Sequence, residues 1–225
     1  MIGDRPSGPA DLVVFDCDGV LVDSEWIAQE VEMGCLRQMG WDLGEDAFRQ
    51  RFTGIPTADI LHAGAEHLGI SIEDDFIQSA RADLRERMKA VRAVEGAAEA
   101  AASLRCPTAI ASNSSRAGLD MKLAACGLDH LFGERTYGYE DVARGKPAPD
   151  LYLLACERAG IAPGRAMAIE DSVTGVTSAR AAGLTVIGFV GGTHQSRKGA
   201  PALLQAGAAC VAPDMGVLRA YFETL

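Results

Sequence analysis

From Val94 to the C-terminus, short apolar runs alternate with helical stretches, and this alternation limits the possible folds more than any other feature of the chain. The strand-like runs are Pro107 to Ala111, Leu131 to Tyr137, Ala166 to Ile169, Thr185 to Val190 and Ala209 to Ala212. Helical patterns occupy Ser115 to Cys126, Pro149 to Ala159, Val173 to Ala182, Ala202 to Ala206 and Met215 to Phe222. Strands alternating with helices imply a parallel sheet covered on both faces. A further buried strand, Leu12-Val13-Val14-Phe15, precedes Asp16-Cys17-Asp18-Gly19-Val20-Leu21-Val22-Asp23-Ser24, after which about seventy residues carry helical patterning only.

The expected fold class is therefore α/β, a doubly wound parallel sheet interrupted by a helical insertion. The core is expected over 1–23 and 94–225 and the helical domain over 24–93, with the crossings near Asp23 and Val94 as the hinge. Ser24 or Asp23 can cap a helix carrying Trp26, Ile27, Val31, Cys35, Leu36 and Met39, which Gly40 ends. Further helices are expected over Glu45 to Phe52, Thr57 to Leu68 and Ile72 to Val91. The Ala-rich stretch Gly96 to Ser103 reads as one more.

With 225 residues, 48% of them apolar, the chain can bury a sizeable core. No apolar run approaches the length of a membrane span. Met1 to Ala10 lacks a hydrophobic centre and reads as a disordered leader, not a signal peptide. Six cysteines without CxxC spacing argue against a zinc site or a disulfide framework and for a reducing cytoplasm. The net charge of −10 disfavours nucleic acid and anionic membranes as partners. A small anionic substrate remains compatible, because a local cation can reverse the sign inside a cleft. A monomer is expected.

In an open parallel sheet, ligands bind at the C-terminal strand edge. Asp16 and Asp18 emerge there from the first core strand. The next ends in Ser112-Asn113-Ser114-Ser115, hydroxyls and free N–H groups that suit a phosphate and equally suit a helix cap. Arg144-Gly145-Lys146-Pro147 holds a lysine before a helix, a positioned point charge. The strand Ala166 to Ile169 delivers Glu170-Asp171-Ser172. Carboxylates converging from two strand ends repel unless a cation lies between them, and oxygen-only ligands favour Mg²⁺.

These four stretches, in this order, resemble the motifs of the haloacid dehalogenase superfamily of phosphohydrolases. The first is Asp16 to Ser24, then Ser112, Lys146-Pro147 and Glu170-Asp171-Ser172. The longer runs Gly145 to Asp150 and Glu170 to Gly175, continuing to Ala181-Ala182-Gly183, are similar to the subfamily of β-phosphoglucomutase and sugar-phosphate phosphatases. The resemblance covers about Leu12 to Val190. It implies Asp16 as nucleophile, forming an aspartyl-phosphate, and Asp18 as general acid and then base. It implies Ser112, Asn113 and Lys146 as phosphoryl-binding groups. Mg²⁺ would be held by Asp16, the Asp18 carbonyl and Asp171, with Glu170 as ligand or supporting partner.

The resemblance further implies that the helical insertion is a cap that selects the substrate, a small phosphorylated metabolite such as a sugar or sugar-acid phosphate, including 6-phosphogluconate. In the mutase, the loop corresponding to Thr53-Gly54-Ile55-Pro56-Thr57 carries Lys and Arg that grip a second phosphate. Thr53 and Thr57 stand there in this chain, which favours hydrolysis over mutase activity. A phospho-receiver signalling module is a third reading, disfavoured by the insertion and by Asp18. His62, His67, His130 and His194 show no metal spacing. Arg81, Arg85, Lys89 and Arg92 form a basic stripe that reads chiefly as a solvated face. Gly191-Gly192-Thr193-His194 reads as a loop at the crevice edge.

Overall fold

The computed structural model describes residues 2–3, 6, 10–52, 55–193 and 199–225. The chain divides into two compact units, one formed by 1–23 and 92–225 and the other by 24–91.

The larger unit is built on a seven-stranded sheet in the order β1-β7-β6-β5-β2-β3-β4. The strands are β1 (Ile2–Gly3), β2 (Leu12–Phe15), β3 (Thr108–Ala111), β4 (Thr136–Tyr137), β5 (Ala166–Glu170), β6 (Thr185–Phe189) and β7 (Cys210–Ala212). All neighbours pair in parallel except β1 with β7. The helices of this unit are α5 (Ala97–Ala102), α6 (Arg116–Ala125), α7 (Asp129–Phe132), α8 (Asp150–Ala159), α9 (Val173–Ala181), α10 (Ala200–Ala206) and α11 (Met215–Phe222).

Burial on both faces explains why β2 is apolar at every position. Leu12 and Val14 face a core that includes Ala109, Leu151, Tyr152, Ala155 and Val176. Phe15 points the other way, edge-to-face with Phe132 at 5.9 Å and Phe222 at 6.1 Å. Phe15 pairs with Ile110 on one side and Ile169 on the other, so the next residue, Asp16, leaves the sheet between the ends of β3 and β5. The connections out of β2 and β5 run in opposite directions across the sheet. Asp16 and Glu170 therefore lie at the topological switch point, where an open α/β sheet forms its crevice.

The smaller unit contains α1 (Glu25–Met39), α2 (Glu45–Phe52), α3 (Thr57–Leu68) and α4 (Asp74–Met88). Val31, Leu36, Phe48, Phe52, Ile60, Leu61 and Ile77 form its core. Gly40 closes α1 in the left-handed conformation.

Several expectations need correcting. Ser24 stands at the N-cap of α1 without a side-chain cap bond, and Asp23 instead accepts hydrogen bonds from the Thr193 N–H at 3.2 Å and hydroxyl at 2.7 Å. Trp26 is 45% exposed and lies off the apolar face. The segment expected as one strand from Leu131 is the end of α7 followed by β4, because Phe132 is buried from a short helix rather than from the sheet. Within the expected leader, Ile2–Gly3 pairs with β7; Met1, Asp4, Arg5 and 7–9 lie outside the described residues. The helix expected to run to Val91 ends at Met88, so Arg92 falls beyond it, and Lys89 pairs with Glu86. Thr53, Gly54 and His194 also lie outside the described residues. Among the described helices, none is long and apolar enough to cross a membrane.

Candidate active site

Asp16 is 8% exposed, and its backbone N–H is bound to the Ile169 carbonyl at 3.0 Å, which continues the sheet by one residue. The chain then turns sharply. Leu21 and Val22 donate to the Cys17 carbonyl, and Gly19 takes φ +77°, a left-handed conformation that a side chain would strain. This turn brings Asp18 back beside the sheet edge.

Lys146 reaches the crevice from the loop before α8. Its Nζ donates to Asp16 Oδ1 at 2.8 Å and to Glu170 Oε1 at 2.5 Å. Asn113, after β3, fixes the lysine's backbone: its Oδ1 accepts from the Lys146 N–H at 2.8 Å and its Nδ2 donates to the Lys146 carbonyl at 3.1 Å. The Asn113 amide, expected on the phosphoryl group, thus holds the loop that delivers Lys146. Ser112 is buried, and its Oγ accepts from the Ser114 N–H at 3.1 Å, shaping the turn after β3.

Glu170 is fully buried at the end of β5. Besides Lys146 it accepts from the Tyr152 hydroxyl of α8 at 2.5 Å and from Ser172 Oγ at 3.2 Å. Ser172 also caps α9 by accepting from the Gly175 N–H at 3.0 Å. Glycine at position 175 lets the carboxylate sit against α9, because a Cβ there would lie 1.9 Å from the Glu170 carboxyl carbon and displace it.

Oxygens of Asp16, Glu170 and Asp171 lie within 4.8 Å of one another, and all three residues are buried. Burial pushes the Asp16 carboxyl well above its ordinary range, opposed by Lys146 and reinforced by Glu170, Asp171 and Asp18. Burial and the Glu170 charge do the same to Asp171. Burial would lower Lys146, yet Asp16 and Glu170 hold it well above a normal lysine. Lys146 is thus shared by Asp16 and Glu170 with Asp171 in the same buried cluster, a concentration of acidic groups that suits a second cation. The donor set is all oxygen, which fits a hard divalent ion. Asp18 does not join this trio through its carboxylate, which is turned toward α6.

There Lys122 Nζ meets both Asp18 oxygens at 2.6 Å and Ser114 Oγ at 2.8 Å, while the Ser114 hydroxyl donates to Asp18 Oδ2 at 2.8 Å. Burial would lower the Lys122 ammonium, but Asp18 raises it on balance. Neither Lys122 nor Tyr152 was singled out by the sequence. The available signal was their position on an inward helical face: Leu119, Lys122 and Leu123 in α6, and Leu151, Tyr152 and Ala155 in α8.

The sequence profile of the haloacid dehalogenase-like hydrolases matches residues 10–183. The phosphorylated carbohydrates phosphatase of Thermotoga maritima is 30% identical over 223 residues, 96% of this chain and 100% of its own. The 6-phosphogluconate phosphatase of Escherichia coli is 25% identical over 186 residues, 82% of this chain and 84% of its own. The crystal structure of a HAD family hydrolase from Deinococcus radiodurans R1 with bound phosphate and sodium has a TM-score of 0.85 and 40% identity, covering 97% of each chain. The chain belongs to the haloacid dehalogenase-like hydrolases. It is an enzyme, a phosphoric monoester hydrolase, and its relatives include phosphatases of phosphorylated carbohydrates. Membership in a hydrolase family sets aside the phospho-receiver reading.

Proposed function

We propose that this enzyme is a Mg²⁺-dependent phosphatase that removes phosphate from a small sugar phosphate or sugar-acid phosphate through an aspartyl-phosphate on Asp16. The observation that carries this reading is the convergence of Asp16, Lys146 and the Glu170-Asp171 pair at one switch-point crevice. The bound phosphate in the Deinococcus structure and the substrates named for the Thermotoga and Escherichia relatives support it. A 6-phosphogluconate-like substrate is within this class.

In this reading Asp16 attacks phosphorus, and its oxygen–phosphorus bond forms as the bond to the leaving oxygen breaks. Asp18 gives its proton to that oxygen, releasing the alcohol. Water then attacks the phosphoryl group, Asp18 takes the water's proton, and the bond to Asp16 breaks to release phosphate. Lys146 and Ser112 hold phosphoryl oxygens, and Asn113 positions Lys146. Asp16, Asp171, the Asp18 carbonyl and Glu170 hold Mg²⁺, with Glu170 as ligand or as a support through Lys146 and Tyr152. When bound, the metal screens the repulsion between the Asp16 carboxylate and the phosphate dianion.

We assign substrate selection to the helical unit 24–91, acting as a cap, and place the enzyme in the cytoplasm as a monomer. Thr57, which stands where the mutase carries a phosphate-gripping arginine, donates its hydroxyl to Glu32 at 2.7 Å. The test is phosphate release from sugar, sugar-acid, glycolate and nucleotide monophosphates, with Mg²⁺ and with a chelator. The expected result is metal-dependent release, fastest from sugar or sugar-acid phosphates. Isomerisation of β-glucose 1-phosphate outpacing hydrolysis, with a bisphosphate primer present, would contradict it.

A further inference from the structure

Lysine is almost never fully buried unless it is paired, yet Lys122 keeps only 7% of its side chain exposed on the inward face of α6. An ammonium has three N–H donors. Here the three nearest acceptors are Asp18 Oδ1, Asp18 Oδ2 and Ser114 Oγ, at 2.6, 2.6 and 2.8 Å, so the head group is fully committed. Ser114 closes the arrangement by donating to Asp18 Oδ2 at 2.8 Å. Asp18 is therefore gripped from the α6 side at both oxygens. Asp16 is held separately by Lys146. The two catalytic carboxylates have different lysines, delivered by different elements: α6 for one and the loop before α8 for the other.

We infer that Lys122, with Ser114, is the positioning residue of the acid/base step: it fixes the direction of the Asp18 carboxylate without touching the phosphoryl group. This inference rests on the role given to Asp18 above. The backbone turn over 17–22 sets where Asp18 starts, but a carboxylate on a loop still rotates about two side-chain bonds, and proton transfer needs one orientation. A misplacement of about 1 Å in such a group can cost about a hundredfold in rate. A lysine with no donor left over is unsuited to gripping a substrate oxygen. Its loss should therefore be felt according to how much the leaving group needs a proton.

The test compares kcat/KM, which reports the steps up to the first irreversible bond cleavage, for p-nitrophenyl, phenyl and glycerol phosphate. The variants are Lys122→Met, Ser114→Ala and Asp18→Asn, with circular dichroism and inhibition by inorganic phosphate measured on each. For Lys122→Met we expect a loss of roughly thirty- to a hundredfold on glycerol phosphate, less on phenyl phosphate and under about fivefold on p-nitrophenyl phosphate, whose leaving group needs no acid. Inhibition by phosphate should stay within about threefold of the unmodified enzyme, since the lysine makes no phosphoryl contact. Ser114→Ala should follow the same order with smaller losses, and it keeps the question answerable if Lys122→Met does not fold. Asp18→Asn should show the steepest dependence. If Lys122→Met and Ser114→Ala lose equally on all three substrates, or lose nothing, while Asp18→Asn keeps its gradient, the inference is overturned and the role of Asp18 stands. A uniform loss in Asp18→Asn would overturn that role itself.

Discussion

Glu170 shows how one side chain can organise several others. Its carboxylate receives Lys146, Tyr152 and Ser172, and it sits against the first turn of α9, where any Cβ at position 175 would overlap it. In Gly175→Ala the carboxylate must move, since the new Cβ would lie only 1.9 Å from its carbon. The expected cost is about 1–3 kcal/mol of stability, from overpacking, and a ten- to hundredfold weaker metal affinity, from the displaced partner. Thermal unfolding and calorimetric Mg²⁺ titration would read the two effects separately. Unchanged metal affinity would mean that Glu170 has no part in the metal site. The sequence displayed Glu170, Asp171 and Gly175 within one motif, but only the packing explains why the third residue is glycine.

At the scale of the element, α1 and α3 are joined by a buried acid. Glu32 is 7% exposed and accepts the Thr57 hydroxyl at 2.7 Å; burial, partly countered by that bond, raises its pKa from 4.5 to about 7. The unfolded chain loses this proton near pH 4.5, so between that pH and about 7 the folded state binds more protons. Stability from this group is therefore complete below pH 4.5 and falls as pH rises toward 7, by roughly 3 kcal/mol in all. Glu32→Gln should remove that slope and be the more stable protein at pH 8 in urea unfolding; an unchanged slope would contradict it. The buried strands were legible because burial on both faces leaves an apolar run, as in β2 and β5. The boundary of β4 was not, because Leu131 and Phe132 are apolar for reasons of helix packing. β1 was illegible because two exposed residues pairing at a sheet edge carry no apolar pattern. In the site, the strand-end residues Asp16, Ser112, Glu170 and Asp171 could be read from position. Lys122 and Tyr152 sit inside helices and gain their roles only when α6 and α8 pack against the sheet.

For the whole molecule, the switch point concentrates acidic groups: Asp16 and Glu170 share Lys146, and Asp171 lies in the same buried cluster. A divalent ion that binds only the folded chain should stabilise it, by about 2.7 kcal/mol at a concentration one hundred times its dissociation constant. Mg²⁺ should therefore raise the unfolding temperature, EDTA should reverse the rise, and Asp171→Asn should abolish most of it. A thermal shift of equal size in Asp171→Asn would place the ion elsewhere. The net charge of −10 makes the local cation Lys146 the more important for drawing an anionic substrate into the crevice. The central claim is that Asp16 carries the phosphoryl group during turnover. Acid quenching of the enzyme during steady hydrolysis, followed by peptide mass spectrometry, tests it most directly. The account predicts one phosphoryl adduct, on the peptide containing Asp16, and neither adduct nor phosphate release in Asp16→Asn. A phosphoryl group on another residue, or steady phosphate release by Asp16→Asn, would contradict it.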